Sequence, residues 1–132
     1  MTLAALQATL AAYLRGEAEA ELPLWRMLRM TAAETRVRAG KWAAELARAV
    51  PEIVKVESPV GGGSLPGQAL AGYALALPPR PGLSSHRLAE RLRRGDPAVL
   101  ARVSDDRVIL DPRTTSAADD EALVAAVRAA LG

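Results

Sequence analysis

At Pro51 the hydrophobic period of this chain changes, and no other feature limits its fold as strongly. Upstream, apolar residues recur every three or four positions; immediately downstream, they alternate. Leu3, Leu6, Leu10 and Leu14 predict an amphipathic helix over about residues 2–15, stopped by Gly16. Its other face carries Ala4, Ala5, Ala8, Ala11 and Ala12, so the helix is apolar nearly all round and expects cover on most sides. That cover comes either from the core of the same domain or from a partner domain. Glu17 to Glu21 read as an acidic linker, and Leu22 to Leu28 as a short apolar turn of helix. Thr31 and Glu34 then make a T-x-x-E capping box that opens a strong helix. Ala39, Ala43, Leu46 and Val50 line its buried face, with Trp42 beside them, and Pro51 ends it.

Beyond Pro51, Val54 and Val56 alternate with Lys55 and Glu57 as a strand. A glycine-rich loop follows from Pro59 to Gly67. Ala69 to Leu77 form a second strand, with Ala69, Ala71, Tyr73, Leu75 and Leu77 on one face. Pro78, Pro79 and Pro81 make a stiff connection. Ser84 or Ser85 caps a helix carrying Leu88, Ala89 and Leu92, which Gly95 closes. Val99 to Val103 and Val108 to Leu110 alternate on either side of Asp105-Asp106 and predict a β-hairpin. Ser116 starts a last helix with Leu123, Val127, Ala130 and Leu131 buried; its acids lie near the N-terminus and Arg128 near the C-terminus, as the helix dipole favours. The order α-α-α-β-β-α-β-β-α predicts an α+β domain, a small, mostly antiparallel sheet with helices on one face.

The 132 residues suit one ordinary core, and with no Phe, two Trp and two Tyr that core rests on Ala, Leu and Val. Seventeen basic and 15 acidic residues are too balanced overall to suggest a nucleic-acid arm or a polybasic membrane patch. The absence of Cys removes disulfides, thiolate metal sites and Cys nucleophiles. The first residues lack the basic opening of a signal peptide, and Arg15 with the acids behind it breaks any membrane span. A soluble, cytoplasmic protein is expected.

The most unusual stretch is Ser58-Pro59-Val60-Gly61-Gly62-Gly63-Ser64-Leu65-Pro66-Gly67. No Gly-Lys-Ser/Thr follows, so it is not a P-loop; a strand follows rather than a helix, so it is not a dinucleotide fingerprint. Its glycines allow close backbone approach to a ligand or another chain, or simply join two strands. The single histidine, His86, sits at a helix start beside Ser84 and Ser85, where capping is the better reading than a nucleophile–base pair. No His or carboxylate cluster has metal-ligand spacing. Arg87, Arg91 and Arg94 share a helix face, with Arg93 nearby; without interleaved aromatics this reads as a solvated face rather than a phosphate contact. Lys41 and Lys55 lack the buried setting of a Schiff-base lysine. Arg102 and Arg113, on or just after the hairpin, either fork onto a carboxylate or phosphate or pair with Asp105, Asp106 or Asp111 at the surface.

Several segments together resemble one family. The run Met1 to Leu10, then Leu22-Pro23-Leu24-Trp25-Arg26-Met27-Leu28, then Val56 to Pro66, then Leu100 to Val103 and Arg107 to Thr114 are similar to bacterial selenocysteine synthase, the L-seryl-tRNA(Sec) selenium transferase. The resemblance spans nearly the whole chain in the right order. It implies the C-terminal small domain of a fold-type-I enzyme that uses pyridoxal phosphate (PLP) as an electron sink. Such an enzyme converts seryl-tRNA(Sec) to selenocysteinyl-tRNA(Sec) with selenophosphate as donor, and assembles as a homo-oligomer. It also implies that residues 1–16 are the terminal helix of a large PLP domain and 17–132 the small domain. The PLP lysine and phosphate-binding arginines then lie before the point matching Met1, leaving no catalytic or cofactor-binding residue in this chain.

In related PLP folds the small domain closes over the cofactor and can supply an arginine for the substrate carboxylate. Here the seryl carboxyl is esterified to tRNA, so that role need not persist. Gly61, Gly62, Gly63, Ser64 and Arg113 are the candidate residues facing an active site. The family commonly has Leu before this arginine, whereas this chain has Pro112, which lacks a backbone donor. The alternatives are the small domain of another fold-type-I PLP enzyme, or a non-catalytic binding or oligomerisation module.

Overall fold

A computed structural model describes residues 2–60 and 68–132. The chain divides into two compact units, Met1–Met30 and Thr31–Gly132.

The first unit is helical throughout. Helix α1 spans Leu3–Leu14; Thr2 caps it, its side chain accepting the Ala5 N–H at 3.4 Å. Gly16, at φ 72°, turns the chain out of it. The acidic stretch expected as a linker instead contains a helical turn, α2 (Ala18–Glu21), and Arg15 pairs with both Glu17 and Glu21. Helix α3 (Pro23–Arg29) starts on its proline, whose fixed φ suits a first helical position. Trp25 Nε1 donates to the Tyr13 hydroxyl at 3.1 Å, and Arg29 pairs with Glu19. Along α1 only Ala12 is buried, while Leu3, Leu6, Leu10 and Leu14 are exposed.

The second unit opens with the predicted capping box: Glu34 N–H donates to Thr31 Oγ1, and the Glu34 carboxylate accepts from the Thr31 N–H. Helix α4 runs Ala32–Glu45 and buries Ala39 and Trp42, with Leu46 following. The helix does not continue to Pro51. A 3-10 turn spans Ala47–Ala49, and Val50, expected in the core, is 72% exposed at φ 51°. The proline after it disfavours right-handed helical geometry at Val50, so the helix cannot run through to Pro51.

Strands β1 (Glu52–Pro59), β2 (Ala69–Leu77), β3 (Arg102–Ser104) and β4 (Arg107–Leu110) form an antiparallel sheet of order β1-β2-β4-β3. Asp105 and Asp106 both take positive φ, 50° and 55°, as a two-residue type I′ hairpin turn requires. Between β2 and helix α5 (Ser85–Arg93), Pro81 and Gly82 form a tight turn closed by paired bonds between Arg80 and Leu83, with Gly82 at φ 76°. Of the two candidate caps, Ser84 caps α5, while Ser85 is buried and donates to the Asp106 carbonyl. Ser116 caps a 3-10 turn, Ala117–Asp119, that leads into helix α6 (Asp120–Leu131).

One core cluster joins Trp42 and Leu46 of α4, Leu88 and Leu92 of α5, and Leu123, Val124 and Val127 of α6 to Leu75, Leu77, Val108 and Leu110 of the sheet. The three helices thus cover one sheet face, as the pattern predicts. Each fully buried Leu or Val there contributes roughly 1.5–3 kcal/mol of transfer free energy. Ala74, Ala76 and Ile109, on the opposite face, form a second cluster with Val54 and Val56. Strand β2 is therefore buried on both faces at its far half, whereas Ala69 and Ala71 are exposed. The expected continuous buried face stops short: the hydrophobic core takes in Leu75 and Leu77, Tyr73 is half-buried, and Ala69 and Ala71 are exposed.

Candidate functional site

The glycine-rich stretch leaves the sheet between Pro59 and Ala69, the last register pair of β1 and β2. Val60 N–H donates to the Gln68 carbonyl at 3.3 Å and closes its base. Gly61, Gly62, Gly63 and Ser64 lie outside the described residues.

Below that base, four elements meet through side chains. The β2–β4 ladder ends at Leu75 and Leu110, since β4 gives way to a 3-10 turn at Pro112–Thr114. Pro112 suits the first position of that turn, and its missing N–H costs nothing there. The turn carries Arg113 back against β2, where its Nη2 donates to the Ala71 carbonyl at 3.0 Å. Two residues along β2, the Tyr73 N–H donates to Thr35 Oγ1 at 2.9 Å, and that hydroxyl donates to the Ala32 carbonyl at 2.7 Å. Side chains from the turn and from α4 thus take over the β2 edge where β4 departs. Gly72 lies between them; a Cβ there would stand 3.2 Å from Thr35 Oγ1 and 3.3 Å from Arg113 Nη2.

Asp111 ties this arrangement to β1. Its Oδ2 accepts from Ser58 Oγ at 2.6 Å and its Oδ1 from the Arg113 N–H at 2.9 Å. Glu34, at the start of α4, has its carboxyl held below the usual value by the Thr31 backbone N–H first and the Thr31 hydroxyl second, with the positive charge of Arg113 adding to the effect.

Arg113 is therefore buried, 4% exposed, and not the surface partner of an aspartate side chain that its charge suggested as one reading. A buried guanidinium needs hydrogen bonds to compensate its lost hydration, and the Ala71 carbonyl supplies one. Arg113 and the base of the glycine-rich stretch share one end of the sheet, brought there by Ser58, Asp111 and Ala71. Arg102 lies exposed on β3 and makes no ion pair among the described residues.

Arg38 stood out in no sequence pattern, yet it organises the segment after β4. Its Nη1 donates to the carbonyls of Pro112 at 2.6 Å and Thr115 at 3.1 Å, and it pairs with Asp120 at the start of α6. Its guanidinium also lies 5.3 Å from the Trp42 ring centroid. The only signal available was its place one helical turn before Trp42.

The remaining chemistry-bearing residues stand apart. His86 is exposed on α5, beside a shallow hollow shared with Arg93 and Leu100. Neither Ser84 nor Ser85 pairs with it: one caps the helix, the other is bonded to Asp106. No group of His and carboxylates among the described residues could hold a metal ion. Lys41 and Lys55 are both exposed, so neither offers the enclosed site in which a lysine holds a PLP aldehyde; the residues present do not fit that cofactor. No helix among the described residues is long and apolar enough to cross a membrane.

Comparison with known proteins is consistent along the chain. Residues 1–116 match the family described as L-seryl-tRNA selenium transferase. The L-seryl-tRNA(Sec) selenium transferase of Moorella thermoacetica is 39% identical over 137 residues, covering 99% of this chain and 29% of that protein. That of Solidesulfovibrio magneticus is 41% identical over 137 residues, 98% of this chain and 29% of the relative. For Carboxydothermus hydrogenoformans the values are 38% over 118 residues, 86% and 25%. The chain thus spans 25% to 29% of the length of these curated relatives.

Proposed function

Because this chain belongs to the L-seryl-tRNA selenium transferase family, we propose that it is the C-terminal portion of an enzyme converting seryl-tRNA(Sec) to selenocysteinyl-tRNA(Sec). Selenophosphate is the selenium donor in this reading. PLP belongs to a large domain outside these 132 residues, and the parent enzyme is a cytoplasmic homo-oligomer. The observation that carries the reading is identity of 37–41% along nearly all of this chain to enzymes three to four times its length.

Two structural features support the division of labour. Both lysines are exposed, which suits a chain that leaves the cofactor to another domain. Helix α1 presents Leu3, 80% exposed, and Leu14, 90% exposed, to solvent, which suits a helix of residues 1–16 that packs on the large domain. Residues 17–132 are then the small domain. Arg113 and the stretch Gly61 to Ser64 face the active site across that boundary.

The test is complementation. The 132-residue chain is co-expressed with a relative's large domain, and conversion of seryl-tRNA(Sec) is measured with selenophosphate. Each part alone is expected to be inactive and the pair active. Turnover and a lysine-linked PLP adduct on the 132-residue chain alone would overturn the assignment.

A further inference from the structure

The overall charge of +2 hides an uneven distribution. Two surface cavities, of 560 and 470 Å³, flank the last turn of α6. Arg48, Arg80 and Arg128 line the first, and Arg87, Arg91 and Arg94 the second. The same linings hold three acids, Glu45, Glu90 and Asp96. With six of the 17 basic residues and three of the 15 acids placed here, the rest of the chain keeps 11 basic and 12 acidic residues. All of the net positive charge therefore sits at this end of the domain.

The six arginines do not serve one purpose. Arg91 donates to the Ala130 carbonyl at 3.1 Å, Arg94 pairs with Glu90, and Arg128 pairs with Glu45. Arg91 and Arg128 brace α6 against its neighbours, while the Arg94 pair runs along α5. Arg48, Arg80 and Arg87 have side chains without a hydrogen bond or ion pair among the described residues. Their guanidinium donors are available to an external anion.

We propose that this arginine-walled end of the domain binds the phosphodiester backbone of RNA. Arg87 and Arg91 are four residues apart on one helix, about 6 Å along its axis; Arg91 bonds Ala130 through Nη1, and its other donors with those of Arg87 have a spacing that lets neighbouring guanidinium groups meet successive phosphates of one strand. The α6 wall of the second cavity is Ala126, Ala129 and Ala130, small enough for a sugar–phosphate strand to approach closely. No aromatic residue lines either cavity, so contact is with the backbone rather than by base stacking, and independent of sequence. An acidic protein helix fits less well, because the groove lacks the aromatic anchors that carry protein interfaces. The choice of RNA as the anion rests on the proposed selenium transferase reading, in which the parent acts on a tRNA.

The experiment is titration of the 132-residue chain into fluorescently labelled, unacylated tRNA, followed by anisotropy across a salt series. The variant Arg48→Ala/Arg80→Ala/Arg87→Ala is compared with the control Arg26→Ala/Lys41→Ala/Arg102→Ala, which removes the same charge elsewhere. Circular dichroism and urea unfolding establish that both are folded. The expected result is weakening by about tenfold or more for the first variant, with a shallower salt dependence by roughly 2–3 in the log–log slope, and little specific change for the control. No binding by the parent chain, or equal loss in both variants, overturns the proposal. Displacement of tRNA by polyglutamate as effective as by unlabelled RNA overturns it in favour of an acidic protein partner. Complementation without arginine-dependent RNA binding sinks this inference alone; arginine-dependent binding without complementation sinks only the proposed function.

Discussion

Arg113 donates to the carbonyl of Ala71 across 3.0 Å, 42 residues back along the chain, at the point where β2 has lost β4 as a neighbour. Arg113→Met keeps most of the side-chain volume and removes the donor. We expect it to destabilise the domain by about 1.5–3 kcal/mol, the usual net contribution of a hydrogen bond made by a charged donor. Urea unfolding followed by tryptophan fluorescence reads this as a lower midpoint at unchanged slope. An unchanged midpoint would show that the bond contributes nothing.

Gly72 is the second probe of the same edge. A methyl group there meets Thr35 Oγ1 and Arg113 Nη2 inside normal contact distance. Gly72→Ala should cost about 1–2 kcal/mol through overpacking. In a double-mutant cycle with Thr35→Ala the two effects should fail to add, because removing the threonine side chain also relieves the clash. Strict additivity would rule out the contact.

Arg38 holds two backbone carbonyls and Asp120 at once. Arg38→Met should cost about 2 kcal/mol, less than a fully buried pair would lose, because Asp120 retains solvent contact. Hydrogen exchange gives a sharper readout: amides of residues 113–119 should lose protection more than those of β1. Uniform loss across the domain would contradict a local pinning role.

The capping box predicts a pH dependence. Folding lowers the Glu34 carboxyl below its ordinary value of 4.5, chiefly through the Thr31 backbone N–H. A depressed carboxyl contributes its stability above that ordinary value and loses it as pH falls through the folded value. Stability should therefore fall on acidification below about pH 4.5, and Glu34→Gln should make that fall less steep. Midpoints measured from pH 6 to pH 3 check this; parallel profiles for both proteins would refute it.

Val50 is a β-branched residue at φ 51°, 72% exposed. Val50→Gly should raise the thermal midpoint, a gain of about 1 kcal/mol, since glycine relieves strain that no buried contact offsets. A lower midpoint would mean that the flexibility glycine gives the unfolded chain outweighs that relief.

The sequence was most informative where a local cause decides the structure. The box of Thr31 and Glu34 opens α4, alternation bounds β2 at Ala69 and Leu77, and Asp105-Asp106 makes the hairpin turn. Each works within a few residues. The features that escaped it join distant positions: Arg38 to Asp120, Thr35 to Tyr73, Ser58 to Asp111. No periodicity encodes those pairs. The position of Arg113 after the hairpin leaves a surface pair with an aspartate open, whereas its burial follows from a bond to a β2 carbonyl 42 residues away, which no local pattern announces. Val50 continues the helical stripe in the sequence, but the helix ends at Glu45, and Val50 lies beyond it in the left-handed region just before Pro51.

The treatment of the β2 edge has a consequence for self-association. Where β4 leaves, β2 would otherwise present a bare N–H and C=O to any strand that drifted past. Thr35 and Arg113 occupy those groups from the side, so the strand offers no template to another copy. On the sheet's opposite margin, Lys55, Glu57 and Pro59 of β1 discourage the same pairing by charge and by a missing donor. Loosening Arg113 therefore does more than soften the domain. It uncovers a segment ready to recruit a neighbour, so loss to aggregates during expression should accompany the lower unfolding midpoint.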